Sequence, residues 1–277
     1  MAFSYAVYIT SLWRRPRLQW SMRFVLALLL AVRSFAACDV LVQGAVETEL
    51  KPLLAALGNA KETRIGAWTF WSGTIGGKSV VVSRTDVGPI NVAAATALGI
   101  QTFQPAVVIN QGTAGAQNPD LNLWDIVVGE KTTDYGAFAS AHGDEGSGMD
   151  PRRWKPMAHR LRLGDRLVEF PSFPGDKRLI DAALSVPYRR GKLVRGNIGS
   201  AFEYNRELDR MKWLRKNYGI DTEDMESAFA AGVATAMQAP FVAIRIVSDS
   251  EWKHPTFERV AGEYCAQFTV ELIRSLR

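Results

Sequence analysis

Short runs rich in Val and Ile alternate along this chain with segments of helical periodicity, and this alternation limits the possible folds more than any other feature. Strands are predicted at 39–46, 78–84, 105–111, 123–133 and 240–252. The third of these is followed by a predicted Gly-rich turn that ends at residue 116. Helices are predicted at 47–60, 90–103 and 256–277, the last with Phe257 and Val260 on its buried face. Nearly continuous apolar strands are buried on both faces, so we expect an α/β protein with a mainly parallel sheet between helices.

The first 37 residues differ in composition from the remainder and are typical of a signal peptide. A basic stretch at 13–23 precedes an apolar run at 24–32, and small residues follow at 34–38. The apolar run is short for a permanent transmembrane helix. We therefore expect a signal peptide at 1–37, one domain at 38–277, and export to the periplasm or out of the cell.

The formal net charge of +5 does not indicate a nucleic-acid-binding protein. Five of the 33 basic residues fall within 1–38, which contains no acidic residue, so 28 basic and 28 acidic residues remain in the rest. A body with balanced charge lacks the basic excess typical of nucleic-acid binding. We expect a small-molecule ligand and no nucleic-acid partner.

The cysteines and histidines do not form a metal-binding pattern. Cys38 and Cys265 are far apart in sequence, and the three histidines are scattered, so we expect neither a metal nor a cofactor. The sequence leaves open a Cys38–Cys265 disulfide, as well as lipidation of Cys38, which would be the only membrane attachment.

Residues 139–177 interrupt the alternating pattern with many Gly, Pro and charged residues. A long polar excursion within a domain is usually a lid, an oligomer contact or a disordered segment, and the sequence does not choose among these.

Polar residues follow several predicted strands where the strands end. They comprise Glu47, Glu49, Asn110, Thr113, Glu226, Arg245, Ser248 and Asp249. Each has a simple structural explanation: Glu49 in a first helical turn, Thr113 as a turn hydroxyl, Arg245 in an ion pair, Asp249 as a helix N-cap. Because the carboxyl ends of parallel strands form one edge, their shared position favours a functional site.

Four motifs on these elements resemble those of the nucleoside phosphorylase superfamily. They are Gly-Ala-Val-Glu-Thr-Glu at 44–49, Asn-Gln-Gly-Thr-Ala-Gly at 110–115, Asp-Met-Glu-Ser-Ala at 224–228, and Arg-Ile-Val-Ser-Asp at 245–249. The chain is most similar to the methylthioadenosine/S-adenosylhomocysteine nucleosidases. This resemblance implies a three-layer α/β/α sandwich around a mostly parallel central sheet, hydrolysis of the N-glycosidic bond of purine nucleosides, and a homodimer.

The resemblance also implies how water is activated. Glu49 matches the carboxylate that activates the water attacking C1′ of the ribose. Thr113 and Arg245 match the residues that help to hold this water or the carboxylate.

The remaining matched residues would bind the ribose and the base. Glu226 would accept hydrogen bonds from the ribose hydroxyls, and Met225 would pack under the sugar. Asp249 would protonate N7 of the leaving purine, positioned by Ser248. Because a proton delivered to the leaving group accelerates such reactions about 10²–10⁴-fold, Asp249 needs a pKa raised by its surroundings.

The chain departs from the family pattern before the residue that would stack on the base. The usual Ser-Gly-Asp before the aromatic residue that stacks on the base reads Ser-Ala-Phe at 200–202, so Phe202 and Tyr204 are both candidates for stacking. The acids Asp221, Glu223 and Asp224 are attributed to the helix dipole and to solvent.

Water is the expected nucleophile. Phosphorylases of this superfamily bind phosphate with arginines, one of them before the Gly-rich turn, where this chain has Asn110 and Gln111. The loop after the first strand is acidic, which disfavours phosphate. The alternatives are a phosphorolytic nucleoside phosphorylase and a non-catalytic exported nucleoside-binding protein.

Overall fold

The computed structural model describes residues 37–276. Of the predicted signal peptide, only Ala37 lies within this range, and the rest of it lies outside the described residues. Within 37–276, no helix combines the length and the apolar character that crossing a bilayer requires.

The fold is built from strands and helices that alternate along most of the chain. The strands are β1 (Val40–Gly44), β2 (Gly58–Ile65), β3 (Trp68–Ile75), β4 (Lys78–Arg84), β5 (Val107–Ala116), β6 (Ile126–Asp134), β7 (Phe138–Ala139), β8 (Lys155–Pro156), β9 (His159–Leu163), β10 (Arg166–Phe170), β11 (Phe173–Pro174), β12 (Leu193–Ser200), β13 (Thr222–Asp224) and β14 (Phe241–Asp249). The helices are α1 (Glu47–Ala56), α2 (Pro89–Phe103), α3 (Lys177–Ser185), α4 (Leu208–Tyr218), α5 (Ser227–Ala236) and α6 (Val260–Ser275), with a 3₁₀ turn at Pro151–Arg153.

The central strands bury side chains on both faces of the sheet. Successive strand residues point to opposite faces, so Val40 and Val42 of β1 pack in one apolar cluster with Leu53 of α1 and residues of α3 and α6. Leu41, between them, packs in a second cluster with α2 and with Ala231 of α5. This two-sided burial explains the nearly continuous apolar strands in the sequence and forms the predicted three-layer arrangement.

The main sheet is mixed and partly closes on itself. Its order is β11-β6-β12-β13-β5-β1-β4-β3-β2, with β14 paired to both β5 and β6. Strands β5, β1 and β4 run parallel, whereas β2–β3–β4 is an antiparallel meander. Strands β5, β14, β6, β12 and β13 form a closed ring of pairings. The predicted α/β class is confirmed, and the parallel strands lie at the centre of the sheet.

The predicted Gly-rich turn at 112–116 is wrong, because β5 continues as a strand to Ala116. Gly112 is required for close packing rather than for a turn. A Cβ added there would lie 2.6 Å from Oε1 of Glu49, so only glycine permits the carboxylate to approach the strand.

Two predicted helix boundaries are also wrong. Helix α1 ends at Ala56, and the next residues enter β2 instead of continuing the helix to residue 60. Helix α6 begins at Val260, and both Val260 and Phe257, which were expected on its buried face, are exposed.

The excursion at 139–177 contains ordered elements. Strands β9 and β10 form a hairpin, and β11 joins the main sheet beside β6. His159 on β9 reaches Asp134 at the end of β6, 2.8 Å away, and Phe170 stacks on Phe173. The alternative of disorder is therefore wrong for the segment from β9 to β11.

Cys38 and Cys265 are both buried and form no disulfide. Cys38 belongs to the apolar cluster that contains α2 and α5, whereas Cys265 of α6 belongs to the cluster on the other face of the sheet. The sheet separates the two thiols, so the disulfide left open by the sequence does not form.

Candidate active site

A cavity of about 480 Å³ opens where β1, β5 and β14 end and α5 begins. Its walls include seven of the nine predicted site residues: Glu49, Thr113, Tyr204, Met225, Glu226, Ser248 and Asp249. A larger groove, of about 880 Å³, lies at the opposite end of β1 and contains none of them. The cavity at the strand ends is the candidate site because it collects the groups capable of chemistry.

Glu49 is held in a fixed orientation at the start of α1. Its Oε2 accepts hydrogen bonds from the backbone N–H groups of Ala45 (2.8 Å) and Val46 (3.3 Å). Its Oε1 accepts from Thr113 twice, from the backbone N–H (2.9 Å) and the hydroxyl (3.0 Å). The loop after β1 and the middle of β5 thus orient one carboxylate toward the cavity, and charge-assisted bonds of this kind are the stronger ones.

Arg245 lies beneath the cavity wall, on β14, with only 1% of its surface exposed. Its Nε lies 2.5 Å from Oδ2 of Asp224 and donates to Oγ of Ser227 at 2.9 Å. A terminal nitrogen of its guanidinium donates to the side-chain carbonyl of Asn110 on β5. A buried charge is tolerated only when its donors find acceptors, and these partners satisfy that requirement.

The prediction for Asp224 is wrong: it is a buried ion-pair partner and does not face solvent. The relation of Arg245 to Glu49 is also less direct than expected. The two side chains pack on opposite sides of the position that a Cβ of Gly112 would occupy, while the ion pairs of Arg245 are with Asp224 and, at 3.8 Å, with Glu226. Arg245 therefore supports the residues beneath the cavity and makes no ion pair with Glu49.

Met225 and Glu226 occupy the turn between β13 and α5, and both line the cavity. The sequence placed the acidic residues before Ser227 in the first turn of a helix. In the structure they lie before that helix, because α5 begins at Ser227. Oε1 of Glu226 accepts the N–H of Gly88 at 2.9 Å, and Gly88 has φ +98°, a conformation that favours glycine. Burial raises the pKa of Glu226 despite the attraction of Arg245.

Asp249 ends β14 in an environment unlike that of Glu49. Burial raises the pKa of its carboxyl, and this effect is opposed by the hydroxyl of Ser248, 2.7 Å from Oδ1. The same hydroxyl lies 3.2 Å from the carbonyl oxygen of Ala114. A carboxyl with a raised pKa keeps its proton to higher pH, which suits a general acid.

Phe202 and Tyr204 differ in their relation to the cavity. Phe202 is 73% exposed, lies over Gly88 and is not part of the cavity wall. Tyr204 is part of the wall, so the structure favours Tyr204 and not Phe202 as the aromatic residue beside a bound base. Two ion pairs fix the loop that carries Tyr204: Arg206–Glu251 (2.7 Å) and Arg210–Glu203 (2.8 Å).

Glu223 is a cavity residue that the sequence interpretation assigned to solvent. It lies on β13, is buried, and accepts a hydrogen bond from the hydroxyl of Tyr135 at 2.9 Å. Burial raises the pKa of Glu223 to about 7. Asp221, by contrast, is partly exposed and pairs with Arg215 at 2.7 Å. The only sequence signal for Glu223 was its place next to the Asp-Met-Glu motif.

Residues 39–274 match the family model of the Phosphorylase superfamily, so the chain belongs to that superfamily. It is 30% identical over 218 residues to the 5′-methylthioadenosine/S-adenosylhomocysteine nucleosidase of Anoxybacillus flavithermus, covering 76% of this chain and 85% of the relative. The corresponding protein of Psychromonas ingrahamii is 28% identical, with coverage of 84% and 97%.

The fold is likewise similar to a solved structure of this kind. The nucleosidase of Neisseria meningitidis, crystallised with methylthio-immucillin-A, superposes with a TM-score of 0.69 at 26% identity, covering 86% of this chain and 99% of the other. The predicted family is confirmed. In residues 37–276, no three His, Cys, Asp or Glu side chains are grouped so as to hold a metal ion.

We expect Asp224→Asn to lower the free energy of unfolding by about 3–5 kcal/mol, because it leaves the buried charge of Arg245 without its counterion. Urea unfolding monitored by tryptophan fluorescence measures this change. The matched control is Asp181→Asn, which removes an exposed partner of Lys177 and should leave the unfolding midpoint unchanged. Equal midpoints for the two variants would contradict the structural role assigned to Asp224.

Proposed function

We propose that this chain hydrolyses the N-glycosidic bond of purine nucleosides of the methylthioadenosine and S-adenosylhomocysteine type, releasing the free base and the free sugar. The single observation that carries the proposal is the pair Glu49 and Asp249, which face one cavity from different elements in opposed environments. Glu49 is oriented by four hydrogen-bond donors, whereas burial raises the pKa of Asp249. Two carboxyl groups in opposed environments can act as base and acid.

The proposed reaction divides the work between these groups. Asp249 donates its proton to N7 of the purine as the bond between N9 and C1′ breaks and the bonding electrons pass to the base. Water attacks the oxocarbenium-like C1′, and Glu49 takes the proton that the water loses. Return of one proton from Glu49 to solvent and uptake of one by Asp249 restore the starting state.

Met225 and Glu226 line the same cavity as these two groups, which suits them to the ribose. One oxygen of Glu226 is already bound by the N–H of Gly88, so its orientation is fixed. In its ionised form, the carboxylate can accept hydrogen bonds from vicinal hydroxyls, while the thioether of Met225 offers a polarizable apolar surface.

The charge around the cavity favours water over phosphate as nucleophile. Arg245 is neutralised by Asp224 beneath the wall, so it is not free to bind an anion. Arg259, exposed at the rim, is the single cationic side chain among the described residues that line the cavity. A phosphorolytic reaction through Arg259 is the second candidate, and the assay below separates the two.

The proposal predicts phosphate-independent release of base and free sugar when the purified protein is incubated with methylthioadenosine, S-adenosylhomocysteine, adenosine and inosine. Chromatography resolves the products. Asp249→Asn and Glu49→Gln should each lower kcat about 10²–10⁴-fold, because each removes a proton-transfer group. Asp181→Asn, outside the cavity, should retain the activity of the parent protein.

Each other result identifies a different protein. Formation of sugar 1-phosphate only when phosphate is present would show a phosphorylase. Tight binding of a nucleoside without turnover would show a non-catalytic binding protein. Full activity of both carboxyl variants would show that the chemistry does not use this cavity as described.

We further propose that the chain forms a homodimer across the mouth of the cavity. Several apolar side chains are exposed there: Val87, Tyr204 and Phe257 line the cavity, and Ile90 lies three residues after Val87. Adjacent exposed apolar side chains are typical of protein–protein interfaces. A closed dimer would cover them and complete the wall of the site.

The dimer proposal predicts twice the chain mass in sedimentation equilibrium at micromolar concentration. Ile90→Glu should give a monomer, because it would bury a charge without a partner at the interface; Ile90 is 82% exposed in the single chain. Met149→Glu, at an equally exposed position outside this patch, should leave the dimer intact. A monomeric parent protein would refute the proposal.

We propose export because residues 1–37 have the composition of a signal peptide. We propose that the signal peptide is cleaved without lipidation because Cys38 is buried. Its side chain is buried, its thiol lies 3.8 Å from the carbonyl oxygen of Val40, and burial together with the charge of Asp39 raises the pKa of the thiol to about 11. The side chain of Cys38 packs in an apolar cluster of the folded domain, where an attached lipid would have no space.

Expression of the full chain in a bacterium should therefore yield a periplasmic or secreted product whose intact mass corresponds to removal of the leader, with no added lipid. Leu28→Arg, which interrupts the apolar run, should leave the precursor in the cytoplasm. An uncleaved parent protein in the cytoplasm would contradict export, and a lipid-sized mass increase would contradict the free thiol.

A further inference from the structure

Glu223 is a buried carboxyl group that faces the cavity and that the proposed reaction does not use. The arginines near it are already paired. Arg210 binds Glu203 at 2.8 Å, and Arg245 binds Asp224 at 2.5 Å. Burial of a carboxyl without a cationic partner is unfavourable, so its presence in a ligand cavity calls for a role there.

Glu223 and Asp249 approach the same point of the cavity from two strands of the closed ring. Oδ2 of Asp249 lies 3.3 Å, and Oε1 of Glu223 3.9 Å, from the position that a Cβ on Gly115 would take. The other oxygen of Glu223 is held by the hydroxyl of Tyr135. The two carboxyl groups are therefore neighbours with separate supports, and a single ring system can contact both.

A second polar group accompanies Glu223. The side-chain nitrogen of Asn205 is buried and makes no hydrogen bond of good geometry within residues 37–276. Asn205 nevertheless lies near enough to Glu223 to favour its ionised form. Asn205 follows Tyr204, the aromatic residue of the wall, and its buried amide lies behind the wall, next to Glu223.

The chemistry of the purine determines what Glu223 would meet. In a purine, the substituent on C6 is adjacent to N7. N7 is flanked by the C6 substituent and by C8–H, and of these two groups only a 6-amino substituent offers an N–H donor to a buried carboxylate. When Asp249 faces N7, the neighbouring carboxyl group therefore finds a partner only on the C6 side. An ionised carboxylate accepts a hydrogen bond from a 6-amino group and repels a 6-oxo group, whereas a protonated carboxyl can donate to a 6-oxo group.

We propose that Glu223 determines specificity at C6 of the base, selecting 6-aminopurine nucleosides over 6-oxopurine nucleosides. This inference rests on the proposed nucleosidase function and names its substrate class. Discrimination arises because the wrong substituent leaves a buried carboxylate facing an oxygen, and sites built for a hydrogen bond reject analogues that cannot make it.

The protonation of Glu223 adds a measurable signature. Burial raises its pKa to about 7, opposed by the hydrogen bond from Tyr135 and by the nearby amide of Asn205. Because the pKa is raised, the protonated form predominates below about pH 7 and the ionised form above it. Selection of the 6-amino group should be strongest above this pH. The charged and titratable groups near Glu223 on neighbouring elements are Tyr135 after β6, Glu203 and Tyr204 after β12, Asp249 on β14 and Arg210 on α4.

The test compares kcat/KM for adenosine and for inosine at about pH 6 and about pH 8, on either side of the pKa of Glu223. In the parent protein, the adenosine-to-inosine ratio should rise with pH. In Glu223→Gln, whose amide both donates and accepts, the ratio at the higher pH should fall about 10- to 100-fold and no longer depend on pH. Because both substrates need the same proton at N7, the ratio largely cancels the titration of Asp249.

Two further variants separate recognition from general damage. Glu203→Gln changes a nearby carboxylate that is paired with Arg210 and should preserve the ratio and its pH dependence. Tyr135→Phe removes the hydrogen bond to Glu223, which should raise the pKa of Glu223 and move the change in ratio to higher pH. Thermal melting verifies that each variant is folded.

A ratio that is unchanged in Glu223→Gln, with turnover intact, would overturn the inference and leave the nucleosidase function standing. Absence of turnover in the parent protein would refute the proposed function instead. In that case, calorimetric binding of adenine and hypoxanthine to the parent protein and to Glu223→Gln still decides whether Glu223 discriminates at C6. Loss of a preference for adenine in the variant supports the inference, and equal preference in both proteins overturns it.

Discussion

The buried guanidinium of Arg245 is the group on which the rest of the site depends. It comes from β14 and reaches Asn110 on β5 and Asp224 on β13, so one side chain connects three strands of the closed ring. A charge in this position is stable only while those acceptors stay in place. The backbone that carries Met225 and Glu226 begins directly after Asp224, and its position is therefore fixed by the same ion pair.

Two carboxyl groups at this edge of the sheet have different surroundings. Glu49 sits at a helix start, where the N–H groups of Ala45 and Val46 and the donors of Thr113 surround it. Asp249 ends a fully buried strand, where a single hydroxyl accompanies it and burial dominates its pKa. The different roles proposed for them, base and acid, thus follow from the element that carries each carboxyl group, since both side chains have the same functional group.

The sequence predicted those parts of the fold and of the site that have a recognisable pattern among neighbouring residues. Central strands such as β4 were predictable because both faces are buried, and Glu49 and Asp249 because they stand at strand ends. Strand β13 was not predictable: its residues Thr222–Asp224 are all polar, and they are buried only through pairing with β12 and β5, far away in sequence. Pattern analysis therefore misassigned Glu223 and Asp224. The choice between Phe202 and Tyr204 likewise depends on the path of the loop that carries them. The periodicity of the sequence does not predict that path.

These misassigned residues show how the fold separates chemistry from selectivity. Glu49 lies at the start of α1 and Asp249 at the end of β14, and the core of the sheet holds both elements in place. A substitution that moved either carboxyl group would therefore disrupt the core. Strand β13 adds side chains to the same cavity from a segment of three residues, in which Asp224 pairs with Arg245 and Glu223 faces the cavity. In the role proposed for Glu223, a substitution of this cavity-facing residue would alter the recognised group while the adjacent ion pair of Asp224 keeps the strand in place. Selectivity can therefore vary on β13 independently of the residues that break the bond.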